Sequence, residues 1–137
     1  MLAAPISLSV SATDEVEFIN SKGQSAYPFS EAVKVGNTMY LSGQLGFDPL
    51  TKSLAKGGVG AETKQTLLNI EDSLQRMGYT LSDVVKCTVM LADIKDFSEF
   101  NEVYKTMFTA PYPARSTFAV SGLALDAKIE IECIAAK

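Results

Sequence analysis

Val84-Val85-Lys86-Cys87-Thr88-Val89-Met90-Leu91-Ala92 is the longest β-branched apolar run of the chain's second half. The run is too short for a typical helix and too apolar and β-branched for an exposed loop, so it reads as a central strand. Upstream, between Ala61 and Met77, Leu67, Ile70, Leu74 and Met77 recur at three- and four-residue steps with Glu62, Lys64, Glu71 and Arg76 elsewhere. That spacing predicts an amphipathic helix, stopped by Gly78. Downstream, Phe97, Phe100, Tyr104, Met107 and Phe108 mark one face of a second helix. Asp96 and Glu99 have capping-box spacing at its start, and Pro111 and Pro113 end it.

Further out, Glu31–Val35 and Thr38–Ser42 are extended segments separated by Gly36-Asn37, a two-residue loop suited to positive φ and hence a hairpin. Val16–Asn20 precedes it as a short strand, and Phe47–Gly60 reads as a long loop. Ser116–Val120 and Lys128–Ala135 supply the last strands, with Ile129, Ile131 and Cys133 alternating against Glu130, Glu132 and Ile134. The predicted order is βββ-α-β-α-ββ, an α+β mixed sheet with two helices packed on one face, in a single domain spanning residues 1–137. The other face would carry Tyr40, Thr88 and Met90, too apolar to leave in water, so partner subunits are expected to cover it.

Composition narrows the function. The chain has 137 residues, 47% of them hydrophobic, and a formal charge of −4. With a pI near 4.8 it offers phosphates no attraction, and no membrane-length apolar run is present. There is no histidine, which removes Ser-His-Asp and Cys-His nucleophiles and His-ligated zinc. Cys87 and Cys133 are far apart in apolar runs, form no CxxC pair or metal site, and read as buried free thiols suited to a reducing compartment. Val10-Ser11-Ala12 resembles a signal-cleavage site, but no Lys or Arg precedes Lys22 and Pro5 interrupts the apolar run. An irregular N-terminal arm over residues 1–14 is the simpler account, with a cytoplasmic location expected and an exported form left open.

Arg115 is one of only two arginines, placed two residues after Pro113 at the mouth of a β-branched segment and fifteen residues before Glu130. A guanidinium held on stiff backbone suits bidentate recognition of a small carboxylate, and a glutamate from another strand can orient or deprotonate water. Plainer readings stand beside these, with Arg115 as a salt-bridge partner and Glu130 as a solvent-facing strand residue whose parity Glu132 shares. Asn101 lies beside the second helix's apolar stripe, and Ser42-Gly43-Gln44 ends the hairpin strand where glycine admits a ligand close to backbone N–H groups. Gly57-Gly58-Val59-Gly60 precedes a helix but lacks a P-loop ending, and reads as a flexible lead-in.

Six stretches in register resemble the Rid (YjgF) family: residues 32–37, Leu41–Gly46 with Asp48-Pro49, Val85–Val89, Asn101–Tyr104, Pro113–Ser116 and Ile129–Glu132. The likeness runs from about Phe29 to the C-terminus. It implies a chorismate-mutase-like fold, a homotrimer with sites in the clefts between subunits, and hydrolysis, without metal or cofactor, of 2-imino acids to 2-oxo acids and ammonia. Those imines arise from enamines released by pyridoxal-phosphate-dependent dehydratases. By motif position Arg115 would bind the substrate carboxylate and Glu130 would position water. Asn101 and Ser42 would line the cleft, with Gly43, Phe29 and Thr117 completing the candidate set. Phe29 departs from a family tyrosine and loses its phenol, so a more apolar imino-acid side chain is expected. The competing readings are a non-catalytic carboxylate-binding module, a ribonuclease or translation inhibitor, and a chorismate mutase. Acidic charge and scarce arginine weigh against the last two.

Overall fold

The Gly36-Asn37 turn closes as read, with Gly36 at φ 57, joining β2 (Ala32–Val35) to β3 (Thr38–Leu41). β1 (Val16–Ile19) pairs antiparallel with β2. The structure, a computed structural model, describes residues 14–137. The expected N-terminal arm and the Val10-Ser11-Ala12 site therefore lie, Asp14 apart, outside the described residues. Then follow α1 (Val59–Arg76), β7 (Val84–Leu91), α2 (Phe97–Met107), β8 (Ala114–Ala119) and β9 (Ile129–Ala136). Three two-residue strands, β4 (Gln44–Leu45), β5 (Phe47–Asp48) and β6 (Ser53–Leu54), lie before α1; β5 and β6 pair within the segment expected to be loop. The main sheet runs β1-β2-β3-β9-β7-β8, with β4 also on β9, and is antiparallel except for β7 and β8. That parallel pair requires a crossover, which α2 supplies.

Alternation along β9 sorts the sheet into two faces. Ile129, Ile131, Cys133 and Ala135 are buried with Cys87, Val89 and Leu91 of β7, Leu67, Ile70 and Leu74 of α1, and Phe100 and Tyr104 of α2, in one core. Glu130, Glu132 and Ile134 point to the opposite face, where Tyr40 and Phe118 are 48% and 46% exposed. Gly78, at φ 82, ends α1, and the following Tyr79 N–H donates to the Leu74 carbonyl at 2.8 Å. Among the described residues no helix is long and apolar enough to cross a membrane.

Two local expectations are corrected. Asp96 makes no side-chain cap, and Glu99 reaches instead to α1, where its Oε1 accepts from the Gly60 N–H at 3.2 Å. A β-carbon on Gly60 would sit 2.9 Å from that oxygen, so the glycine permits the contact. Cys87 and Cys133 are not free thiols but a disulfide, because the β7–β9 register sets them directly opposite, Cα to Cα 4.1 Å. The free-thiol argument for a reducing compartment falls with them.

Glu31 anchors the segment before β2. Its carboxylate accepts from Ser21 N at 3.0 Å and Oγ at 2.5 Å, from Ser73 Oγ at 2.8 Å, and pairs with Arg76 at 2.9 Å. Burial alone would raise its pKa, but these bonds from Ser21, Ser73 and Arg76 outweigh it and the net shift is downward from 4.5. A lowered carboxylate stabilises the fold above its unfolded value and loses that contribution as pH falls through the folded one. Glu31→Gln should therefore cost about 1–3 kcal/mol at neutral pH. The gap to wild type in urea unfolding should close below 4.5; a gap equal at both ends of the range would refute this.

Candidate active site

β8 follows Pro113 and lies parallel to β7, which sets Arg115 on one rung with Cys87 and Cys133, on the helix-covered face. There the guanidinium lies over three rings of α2, 4.7 Å from the Tyr104 centroid, 5.0 Å from Phe100 and 5.7 Å from Phe97. Aromatic faces hold a guanidinium by about 0.5–2 kcal/mol and leave its N–H edges free. Among the described residues no carboxylate is within ion-pair distance of Arg115, so the plainer intrachain salt-bridge reading is not met. Asn101, one turn after Phe97 and three residues before Tyr104, shares that side of α2. Thr117, two residues along β8, faces the same way as Arg115. Burial pushes the Tyr104 phenol up in pKa, against the pull of Arg115.

A second cluster forms on the opposite face. Glu130 shares a rung with Leu45, Met90 and Phe118, and its carboxylate lies against Gly43. A β-carbon there would overlap Oε1 and come within 3.0 Å of Cδ. Glu132, equal on periodicity, has no such contact with Gly43 and faces Thr88 on a more exposed rung. Ser42 is pinned from both ends, its Oγ donating to the Ser30 carbonyl at 2.6 Å and its N–H to the Glu31 carbonyl at 3.0 Å. Phe29, Ser42 and Gly43 line a cleft of about 440 Å³. Tyr27 lines it too, its ring stacked on Phe29 with centroids 5.5 Å apart and planes 10° from parallel.

One chain thus keeps the candidate residues in two groups, Arg115 with Asn101 and Thr117, and Glu130 with Ser42, Gly43 and Phe29. It does not bring Arg115 and Glu130 together: they lie on opposite faces, three rungs apart. Sequence spacing missed this because β8 begins two residues earlier than Ser116 and its parallel pairing has no local signature. It also missed Tyr27, and it read the stripe of Phe97, Phe100 and Tyr104 as core packing only. The signal for the second role was an isolated arginine in a chain otherwise nearly without them. Among the described residues no cluster of acidic or cysteine side chains is arranged to hold a metal ion.

Residues 20–137 match the family model described as endoribonuclease L-PSP. The chain is 49% identical over 108 residues to the 2-iminobutanoate/2-iminopropanoate deaminase of Bos taurus, covering 79% of each. It is 44% identical over 133 residues to the chloroplastic Reactive Intermediate Deaminase A of Arabidopsis thaliana, covering 96% of this chain and 71% of that one. The crystal structure of RidA from an Antarctic Psychrobacter superposes with a TM-score of 0.79 at 41% identity, over 88% of this chain and 98% of that one.

Gly43 tests the second group. Its φ is not in the left-handed region, so Gly43→Ala is tolerated by the backbone and its methyl group must displace the Glu130 carboxylate. Turnover of a 2-imino acid should fall by about tenfold or more with a stability change under ~1 kcal/mol. Wild-type turnover in this variant would show that Glu130's present position is not needed for turnover.

Proposed function

The chain belongs to the Rid (YjgF) family, whose model carries the endoribonuclease L-PSP description, and from that membership we propose that it is a 2-iminobutanoate/2-iminopropanoate deaminase. It acts on reactive imines, as the names of its deaminase relatives indicate, and hydrolysis of their C=N bond gives 2-oxo acids and ammonia. The observation that carries this reading within the chain is the Arg115 guanidinium, shelved on three rings with no carboxylate partner among the described residues. Such a group binds a planar carboxylate by two parallel hydrogen bonds and fixes the adjoining C2 carbon.

A protonated imine is already electrophilic at C2. Water bound by Glu130 adds there as the carboxylate takes its proton, giving a tetrahedral carbinolamine. The proton returns to nitrogen, the C–N bond breaks and ammonia leaves as the hydroxyl gives its proton back to the Glu130 carboxylate and becomes the 2-oxo group; passing that proton to ammonia, which departs as ammonium, resets the site. Placement supplies much of the rate, so the chemistry proceeds without histidine. Phe29 and Tyr27 wall the space beside Gly43 where the substrate side chain would lie.

Opposite placement of the two half-sites supports a site built from two copies. Arg115, Asn101 and Thr117 would come from one subunit and Glu130, Ser42, Gly43 and Phe29 from the next. A closed homotrimer with chorismate-mutase-like packing, its subunits covering the Tyr40 and Phe118 face, accounts for both the split site and the exposed apolar surface. The ribonuclease reading in the family description gains nothing from a net charge of −4 or from an arginine half-buried among rings.

Imine generated by an amino-acid oxidase and trapped with semicarbazide gives the test. Wild type should accelerate imine loss, and Arg115→Ala should lower kcat/KM by about 100-fold or more with Tm nearly unchanged. No acceleration by wild type would leave a carboxylate-binding module as the reading. Arg115→Ala and Glu130→Gln chains, each inactive alone, should on co-refolding recover roughly a quarter of wild-type activity, the fraction of shared sites receiving both intact residues. No recovery would overturn the shared site.

A further inference from the structure

Between Asn20 and Glu31 the chain leaves the sheet after β1 and rejoins it at β2, and the two ends of this loop are tied together. The Glu31 N–H donates to Asn20 Oδ1 at 3.0 Å, and Ser21 donates through N and Oγ to the Glu31 carboxylate. Ser73 and Arg76 hold that carboxylate to α1. Compact surface loops with joined ends are frequently functional. This one presents two aromatic rings. Tyr27 and Phe29 stack with centroids 5.5 Å apart and planes 10° from parallel, yet remain 69% and 57% exposed. The Tyr27 N–H donates to Ser25 Oγ at 3.0 Å, and Pro28 between the rings has its own φ fixed. Both rings line the cleft of about 440 Å³, to which Leu45 and Phe47 add further apolar surface. Gly43 lies in the same lining and touches the Glu130 carboxylate, so the rings share a cavity with the group that binds water in the proposed reaction.

We propose that Tyr27 and Phe29 form a specificity wall, and that the cleft takes 2-imino acids with an aromatic side chain, whose ring lies against this pair. The proposal rests on the deaminase reading and narrows its substrate class. A cavity of this size is in the range that accepts drug-sized molecules, far more than the methyl group of 2-iminopropanoate or the ethyl group of 2-iminobutanoate requires. Polar side chains of the lining are already engaged, Asn20 and Glu31 with each other's ends of the loop, Ser25 with Tyr27, and Lys22 with Asp72 at 3.7 Å. The open surface left to a substrate is therefore largely hydrocarbon. Apolar walls favour any bulky aliphatic group, and the ring pair favours an aromatic one further, because ring contacts add about two- to tenfold in affinity beyond the area buried. The tied ends of the loop set the wall before the substrate arrives, which spares binding the cost of ordering it.

The measurement is kcat/KM of the full-length protein for imines made in situ from alanine, leucine and phenylalanine. Alongside it runs the Kd for pyruvate, 4-methyl-2-oxopentanoate and phenylpyruvate, the stable products, by titration calorimetry. Wild type should favour the phenylalanine imine over the alanine imine by about tenfold or more, and over the leucine imine by about threefold, with Kd in the same order. Tyr27→Ala should cut the phenylalanine-to-alanine ratio by about tenfold. Tyr27→Leu keeps the apolar surface and removes the ring, so it should bring phenylalanine down to the level of leucine while both stay above alanine. An alanine imine turned over as well as the phenylalanine imine overturns the proposal. So does a leucine imine preferred to both, or a phenylalanine-to-alanine ratio that Tyr27→Ala leaves unchanged. A protein that turns over no imine but binds phenylpyruvate most tightly, in a manner dependent on Tyr27, sinks the deaminase reading and upholds the wall. Turnover confined to the alanine and leucine imines does the opposite. If Tyr27→Ala does not fold, the Tyr27→Leu comparison decides.

Discussion

Everything in this molecule is organised by the register of β9, which pairs with β3, β4 and β7 and so lies at the centre of the sheet. A strand's side chains alternate strictly between faces, so fixing Ile131 opposite Val89 commits all of its neighbours. Buried Ile129, Ile131 and Cys133 take the helix side, and Glu130 is left on the other. A slip of one residue would bury Glu130 and Glu132 and expose the core. The same register sets Cys87 against Cys133 and, through the parallel rung, orients Arg115 toward α2.

That constraint explains why a chain with so few candidate catalytic groups keeps two of them apart. An arginine beside a free glutamate would form an ion pair and need to break it before binding substrate. With the sheet between them, Arg115 rests on aromatic faces and Glu130 on backbone at Gly43. Under the proposed mechanism this leaves the guanidinium to recognise negative charge and the carboxylate to handle a proton. In the proposed shared site they would meet only when subunits associate, which would couple activity to assembly.

Much of the fold was legible from pattern alone. The hairpin at Gly36-Asn37, both amphipathic helices, the Gly78 stop and the alternation of β9 are local signals, readable because turn chemistry and periodicity act over a few residues. What escaped was non-local. The disulfide depends on which strands pair and in what register, and two cysteines 46 residues apart carry no trace of it. Glu99 caps another helix because of a tertiary contact with Gly60, and a capping-box spacing looks the same either way. For the site, residue types were legible and faces were not. Arg115 and Glu130 stood out as chemistry, but only strand pairing reveals that they point away from each other.

The Cys87–Cys133 bond encloses α2, β8, Arg115 and Glu130 within one covalent ring, while Phe29, Ser42 and Gly43 lie outside it. Closing a ring across that separation of 46 residues removes unfolded-state entropy worth on the order of 4 kcal/mol. It also fixes the path of mechanical load. Tension applied between the chain's two ends passes from β7 to β9 through the sulfur bridge and bypasses everything between. The Arg115 shelf is therefore the part of this protein that pulling cannot extend, even after the strands around it have parted.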